Sequence, residues 1–481
     1  MQFNSYELIL FFLPAAVLLY FLANRVRPVA GKLVLIAASL LFYGWGRWNM
    51  LLYLGGSILL NYLFVLLITK RQLCGRWSLA FPVAVNVGLL LYFKYLDFAV
   101  SNVNFLLGTD FALRAVILPL GISFFTFQQI AYLVAVWSGE LDGSLLNYLV
   151  YILYFPKLLM GPLADPADFI TQLNQPERKK PDVNNIAAGV KLFSLGLLKK
   201  VLVADTFAKA VSWARLNIQT ATSADCLLLM LFYTFEIYFD FSGYSDMATG
   251  ISSLFNIDLP INFDSPYKAL SIRDFWRRWH ISLTRFFTRY IYIPLGGSRK
   301  GKAFTYLNTM IVFLVSGLWH GASWSFVIWG LLHGLLSCLD RMFARQQQVI
   351  PKPVRWLGTF AAVSVLWLLF DLGSVRLWLS TLMKIFRLRD VAVSRGMLSA
   401  FQPAELQFLA ARLGIGMNAG PAQVICMLLF LLAAGVVCLM PENNYRNRNR
   451  LNAGTVFPAA AAFIWGLLCL GTESAFVYFG F

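Results

Sequence analysis

The chain contains few charged residues, and this shortage narrows the classes of protein to which it can belong. Charged residues make up 13% of its 481 residues, against roughly 25% in an average soluble domain. Hydrophobic residues account for 59%, so a soluble fold would leave large apolar surfaces in water. The composition excludes an ordinary soluble globular protein and indicates an integral membrane protein.

Paired cysteines and clustered metal ligands are also missing from the sequence. The six cysteines are scattered in or beside apolar segments, and no two have the spacing of a zinc or redox motif. We interpret them as small buried apolar side chains. No histidine pair has the spacing of a metal-binding motif either, so the sequence predicts no metal cofactor. The cysteines are Cys74, Cys226, Cys338, Cys426, Cys438 and Cys469.

Long apolar runs recur along the chain, each close to the roughly 20 residues that a helix needs to cross a bilayer. With weaker runs included, they predict about ten to twelve spanning or re-entrant helices in one all-α polytopic membrane domain over residues 1–481. The first run follows no basic segment and precedes no small-residue cleavage site, so we interpret it as a retained helix. The runs cover residues 8–23, 49–69, 77–93, 116–137, 424–440 and 456–470.

The formal net charge is +17, from 40 basic and 23 acidic residues. In a soluble protein this excess would suggest a nucleic-acid partner. Here the basic residues gather in short loops, as the positive-inside rule describes, so we expect membrane lipid and no nucleic acid as a partner. If the basic loops at 25–32, 70–76 and 446–450 are cytoplasmic, both chain ends are predicted to lie outside.

Residues 264–302 combine nine basic residues with two acids and several aromatic side chains. This pattern predicts an amphipathic helix on the cytoplasmic side at the level of the lipid headgroups, with Asp274 paired to Arg277 or Arg278. The segment should end in the turn at 294–298. Two uses remain open: attachment to anionic lipid, or a site for a phosphate-bearing donor, since arginine forks match phosphate oxygens.

The chain has three histidines, His280, His320 and His333, all within 54 residues of one another. Imidazole suits proton transfer near neutral pH. Because residues 303–339 are too long for one perpendicular span, we expect a break near 321–323 that leaves His320 at a helix end. Two GxxxG patterns, 317–321 and 330–334, should allow close helix approach there.

Each histidine has a structural and a chemical interpretation. His320 either forms an interhelical hydrogen bond or acts as a general base for a hydroxyl in a cavity of low dielectric constant. His280 is either an interfacial histidine or a neutral imidazole whose pKa the adjacent Arg277 and Arg278 lower. We interpret His333 as a packing residue.

A polar stretch at residues 236–246 places three carboxylates inside an apolar region. Ionisable residues in membrane segments are expensive and are candidates for function. The alternative is that Asp240 and Ser242 break a helix and pair with arginine.

Several blocks resemble the signature of the membrane-bound O-acyltransferases, especially the bacterial branch that O-acetylates alginate, cellulose and peptidoglycan. They are YFDFSGYSDMA at 238–248, DFWRRWHISL at 274–283, GLWHG at 317–321, LPLGISF at 118–124 and FPK at 155–157. The resemblance implies a helical bundle around a central tunnel in the bacterial inner membrane. It also implies transfer of an acetyl group from cytoplasmic acetyl-CoA toward the outer face.

The resemblance assigns roles to particular residues. His320 matches the essential catalytic histidine of the family, and His280 matches its polar partner. Acetyl-CoA is expected on the basic segment, at Arg273, Arg277, Arg278, Trp279 and Arg289. Supporting residues are expected at Asp240, Ser242, Tyr244, Asp246, Trp276 and Trp319.

The aromatic tail at 472–481 resembles a tail found in this family and is expected on the outer face. Tyr478 is either the hydroxyl that His320 activates, giving a transient acyl-tyrosine, or an aromatic anchor at the membrane interface. Gly480 departs from the family pattern, in which a polar residue is common. A periplasmic SGNH-type acetyltransferase with a Ser-His-Asp triad, acting beside the polysaccharide secretion machinery, would then take the acetyl group.

Two other classes remain as alternatives. The chain could transport a donor or a glycan without covalent chemistry, or serve as a scaffold of an export complex. Few membrane-embedded charges and the lack of a repeat argue against a transporter.

Overall fold

The computed structural model describes residues 1–70, 77–114, 116–402, 404–414, 420–470 and 476, and within these ranges the chain is helical, with no strand. Short 3₁₀ and π turns connect or extend the helices. The helices are α1 Leu13–Val26, α2 Pro28–Gly44, α3 Met50–Thr69, α4 Trp77–Leu107, α5 Ile122–Trp137, α6 Leu145–Leu153, α7 Phe155–Leu158, α8 Pro166–Asn174, α9 Val183–Leu198, α10 Asp205–Leu216, α11 Ser223–Leu254, α12 Ile272–Arg278, α13 Ile281–Phe287, α14 Lys302–His320, α15 Trp324–Met342, α16 Lys352–Leu372, α17 Val375–Arg387, α18 Arg395–Leu398, α19 Ala404–Arg412, α20 Gly420–Leu439 and α21 Ala453–Leu468.

Seven helical segments of the described chain are long and apolar enough to cross a bilayer, and three shorter apolar helices accompany them. The prediction of an all-α polytopic membrane protein is therefore confirmed, while the number of crossings stays a prediction. The seven segments are Glu7–Val26, Met50–Thr69, Ser78–Leu107, Ser223–Leu254, Lys302–His320, Lys352–Leu372 and Gly420–Leu439.

The chain forms two compact units. The first consists of residues 1–195 and 244–261 with the described part of 448–473, and the second of residues 196–243 and 262–447 with Phe476. Helix α11 contributes its first part to the second unit and its last part to the first. All three histidines belong to the second unit.

In the first unit, the proline-rich segment that follows α6 is buried. Residues 155–162 are all inaccessible to solvent, including Lys157, whose ammonium donates to Gln128 Oε1 and to the carbonyl oxygen of Tyr151. The Tyr151 hydroxyl donates to the carbonyl oxygen of Ala164 at 2.8 Å. Irregular backbone at membrane depth is tolerated where protein encloses it. This burial favours a re-entrant segment over an interfacial loop.

In the second unit, α14 and α15 form a closely packed pair. The predicted break is confirmed, because α14 ends at His320 and α15 begins at Trp324. The two GxxxG patterns allow close approach of these helices, as expected. A Cβ on Gly317 would lie 2.3 Å from the carbonyl oxygen of Phe326, and a Cβ on Gly330 would lie 2.4 Å from that of Phe313. The two backbones are therefore closer than any side chain at these positions would allow.

The basic segment is not one amphipathic helix, as the sequence predicted, but two seven-residue helices, α12 and α13. The break falls at His280, which has a φ of 44° in the left-handed region. Other expectations hold: Arg278 Nε donates to Asp274 Oδ1 at 3.0 Å, and a turn follows at 293–300.

Candidate active site

The second unit brings all three histidines into one aromatic cluster, which we call the histidine–tryptophan cluster. Trp319 lies between His280 and His320, with ring centroids 6.3 Å and 4.8 Å from theirs. Trp329 lies between His320 and His333, at 5.1 Å and 4.8 Å. A continuous helix would hold His320 and His333 about 20 Å apart, so the break after His320 is what allows both to contact one tryptophan ring.

Asn262 fixes the orientation of the His280 ring. Its side-chain oxygen accepts hydrogen bonds from the backbone N–H of Ser282 at 3.3 Å and from the Ser282 hydroxyl at 2.9 Å. A backbone N–H only donates, so the facing atom must be oxygen. The same oxygen lies 3.1 Å from His280 Nδ1, which must then carry the proton. The lone pair of neutral His280 is thereby placed on Nε2.

Burial keeps this imidazole neutral. His280 is 1% exposed, and its Nε2 has no hydrogen-bond partner among the described residues. Loss of solvation lowers the pKa of His280 from its ordinary value to about 3. The sequence predicted a lowered pKa for His280, but the cause is burial and not the neighbouring arginines. At neutral pH, His280 therefore presents an unprotonated nitrogen that can accept a hydrogen bond or a proton.

His320 is the last residue of α14 and is 4% exposed. Its ring is walled by aromatic side chains: Trp329, and Phe370 at 5.2 Å between centroids. Such walls exclude water from the imidazole, and a buried base in a dry pocket is a suitable setting for removing a proton from a hydroxyl.

His333 is fully buried and accepts a hydrogen bond at Nδ1 from Trp276 Nε1 at 3.3 Å. Its ring also lies parallel to that of Phe313, 6.3 Å away. These contacts hold Trp276 in place, as expected of a packing residue.

A cavity of about 280 Å³ lies beside the cluster in the second unit, with Trp276 in its wall. We call it the arginine cavity, because Arg273, Arg277 and Arg341 line it. None of the three forms an ion pair with an acidic side chain in the described part of the chain. The other lining residues are aromatic, aliphatic or small and polar. Unpaired guanidinium groups beside apolar walls match a ligand that carries phosphate on an apolar chain.

The expected acetyl-CoA residues divide into two groups. Arg273 and Arg277 line the cavity. Arg278 is engaged by Asp274, Trp279 is 1% exposed, and Arg289 lies outside the lining with its guanidinium 5.6 Å from the Tyr290 ring centroid. Sequence reasoning missed Arg341, which lies in the last turn of α15, 64 residues after Arg277, and belongs to no motif.

Asp240 lies in a buried ionic cluster. Helix α11 runs unbroken past Asp240 and Ser242, so the alternative that they break a helix is wrong. Asp240 pairs with a lysine: Lys200 Nζ lies 2.8 Å from Asp240 Oδ1 and 2.8 Å from Asp205 Oδ1. Phe476, the one described residue of the tail, places its ring centroid 4.7 Å from the same Nζ.

The remaining predicted residues have different locations. Ser242 is buried in the second unit, whereas Tyr244 and Asp246 are buried in the first. Trp276 and Trp319 belong to the histidine–tryptophan cluster. Tyr478 lies outside the described residues.

A sequence model of the membrane-bound O-acyltransferase family matches residues 141–375, which include the histidine–tryptophan cluster and the arginine cavity. A peptidoglycan O-acetyltransferase of Helicobacter pylori is 36% identical over 100% of this chain and 97% of its own length. A probable alginate O-acetylase of Pseudomonas aeruginosa is 36% identical, covering 77% of this chain and 72% of its own. A teichoic acid D-alanyltransferase of Streptococcus thermophilus is 30% identical over 50% of this chain and 60% of its own.

These relatives are named for acyl transfer to peptidoglycan, alginate or teichoic acid. One of them is similar along its whole length, and the family match covers all three histidines. The chain belongs to the membrane-bound O-acyltransferase family and is a multi-pass membrane acyltransferase.

Proposed function

We propose that this protein is an O-acetyltransferase of the bacterial inner membrane. It takes acetyl groups from cytoplasmic acetyl-CoA and passes them across the membrane for O-acetylation of an exported polysaccharide. The observation that carries the proposal is the arrangement in the second unit, where a cavity with three unpaired arginines adjoins the buried histidine–tryptophan cluster.

The arginine cavity is the proposed donor site. Arg273, Arg277 and Arg341 bind phosphate oxygens of the donor, and the aromatic wall at Trp276 packs on its apolar arm. The hydrogen bond from Trp276 to His333 holds that wall in place.

His320 is the proposed base. Its imidazole removes the proton from the acceptor hydroxyl, whose oxygen attacks the thioester carbonyl. The carbon–sulfur bond then breaks, and the imidazolium returns the proton to the departing thiolate. One hydroxyl and one thioester become one ester and one thiol. His280, with its lone pair fixed on Nε2 by Asn262, is the proposed acceptor of a hydrogen bond from the acceptor hydroxyl.

The proposed first acceptor is Tyr478 in the aromatic tail. Support comes from Phe476, which is 2% exposed and lies on the buried Lys200 ammonium in the second unit. A periplasmic SGNH-type acetyltransferase then takes the acetyl group from the tyrosine and places it on the polysaccharide at the secretion machinery. Peptidoglycan is the first acceptor to test, because the relative named for it is similar over the whole chain.

The experiment is transfer of radiolabelled acetyl from acetyl-CoA to the purified protein in liposomes. We expect release of CoA thiol and label on the chain, and neither with His320→Ala. Tyr478→Phe should abolish the label on the chain, while the matched substitution Tyr92→Phe, at a half-exposed tyrosine in α4, should not.

Full acetyl transfer by a folded His320→Ala protein would contradict the assignment of the base. If the wild-type protein released no thiol in the presence of the partner, the chain would act as a transporter or a scaffold instead.

A further inference from the structure

A groove in the first unit has no part in the proposed acyl transfer. Its volume is about 420 Å³, and thirteen of its fourteen lining residues are apolar. The exception is Arg25, in the last turn of α1. The groove has one charged wall position and is otherwise apolar, so its occupant should have one charged end and a long apolar part.

The groove is long. One wall runs along the helical segment Glu7–Val26, from Ile9 to Arg25, about 24 Å at 1.5 Å per residue. The opposing walls come from three other helices, at Val190, Leu254 and Phe463. An extended alkyl chain can lie along a groove of this length.

Basic residues without an acidic partner in the described part of the chain lie in the groove wall at Arg25 and next to the lining residue Pro181. Arg25 is exposed and has no acidic partner in the described part of the chain, and the same holds for Lys179 and Lys180. These lysines immediately precede Pro181, which lines the groove, and the short helix Glu177–Lys179 packs against α1. The adjacent Arg178 is neutralised by Asp258 at 3.1 Å.

We propose that this groove binds one anionic glycerophospholipid. One acyl chain fills the groove between α1, α9, α11 and α21. The phosphate lies against Arg25, with Lys179 and Lys180 near it. Charged hydrogen bonds to the phosphate fix the headgroup, and burial of methylene groups fixes the chain. This inference does not depend on the proposed acetyl transfer.

Native mass spectrometry of the delipidated full-length protein tests the proposal, with phosphatidylglycerol or phosphatidylcholine added. We expect one phosphatidylglycerol to be retained per chain under conditions that remove phosphatidylcholine. Arg25→Gln should reduce this preference by roughly tenfold, since a charge-assisted contact to phosphate is lost.

Two adjacent leucines of α1 give a matched pair of variants. Leu18 lines the groove and is 61% exposed, whereas Leu19 is 54% exposed and does not line it. Leu18→Trp should fill the groove and reduce the amount of retained phosphatidylglycerol by roughly tenfold. Leu19→Trp should leave that amount unchanged. Both variants keep an exposed apolar residue on the helix, so both should fold.

A diazirine-bearing phosphatidylglycerol gives a second readout, because its label should map to the walls of the groove. Equal retention of the two lipids by the wild-type protein, or equal retention by the two tryptophan variants, would overturn the proposal. So would recovery of a polypeptide crosslinked to the groove in place of lipid.

Discussion

At the scale of single residues, the proposed chemistry depends on which nitrogen of His280 carries the proton. Asn262 lies 18 positions before His280 in the chain, and its side-chain oxygen determines that the proton is on Nδ1. It is a positioning residue, because it holds the His280 ring and takes no other part in the proposed chemistry. Nothing in the sequence near Asn262 marks it, since its partners are brought to it by the break between α12 and α13.

We predict that Asn262→Ala lowers the turnover rate by about ten- to a hundredfold, in the range measured for partners that orient a histidine. Asn262→Asp retains an oxygen that accepts from His280 Nδ1 and Ser282, so it should restore much of the rate. Its negative charge should also raise the pKa of His280 and shift the pH profile toward neutral pH. Equal loss in both variants, without any shift of the profile, would indicate a purely structural role.

His280 also makes stability depend on pH. Its pKa is about 3 in the folded protein and about 6.5 in an unfolded chain, so at pH 5 only the unfolded state binds the proton. The stability contributed by neutral His280 is therefore complete above about pH 6.5 and is lost as the pH falls toward 3. We predict that the Tm in detergent falls less between pH 7.5 and pH 5 for His280→Gln than for the wild type. An identical fall would show that His280 titrates normally.

At the scale of helices, the close approach of α14 and α15 is what assembles the histidine–tryptophan cluster. We predict that Gly317→Ala lowers the Tm and the acyl-transfer rate together, because the added Cβ would lie 2.3 Å from a carbonyl oxygen. Gly358→Ala in α16 is the control, since its Cβ would meet nothing within 4 Å. That substitution should stabilise the helix slightly, by at most about 1 kcal/mol. The account of the helix pair fails if Gly317→Ala is equally harmless.

Helix positions and the break after His320 could be predicted from the sequence, since long apolar runs and the sequence Gly321-Ala322-Ser323 are local signals. The break at His280 could not, because the contacts with Asn262 that accompany it are tertiary. The Lys200 partner of Asp240 was missed for the same reason. At Asp240 local polarity suggested a helix break, but the buried ion pair satisfies the carboxylate without one.

At the scale of the whole molecule, the family match and the apolar helices indicate a membrane acyltransferase, and the basic segment is where we propose that its donor binds. The sequence alone placed that donor on residues 273–289. The cavity lining differs from that prediction: Arg278 and Trp279 do not line the cavity, and Arg341 from another helix does. The central claim is that the arginine cavity delivers the donor to the histidine–tryptophan cluster.

The most direct test is the KM for acetyl-CoA of Arg341→Gln, compared with Arg345→Gln at an exposed arginine four residues later that does not line the cavity. We predict that Arg341→Gln raises KM by roughly tenfold, because a charge-assisted contact to phosphate is lost. Its kcat should be nearly unchanged, since the histidines remain in place, and Arg345→Gln should behave as the wild type. Identical KM values for the two variants would contradict the account.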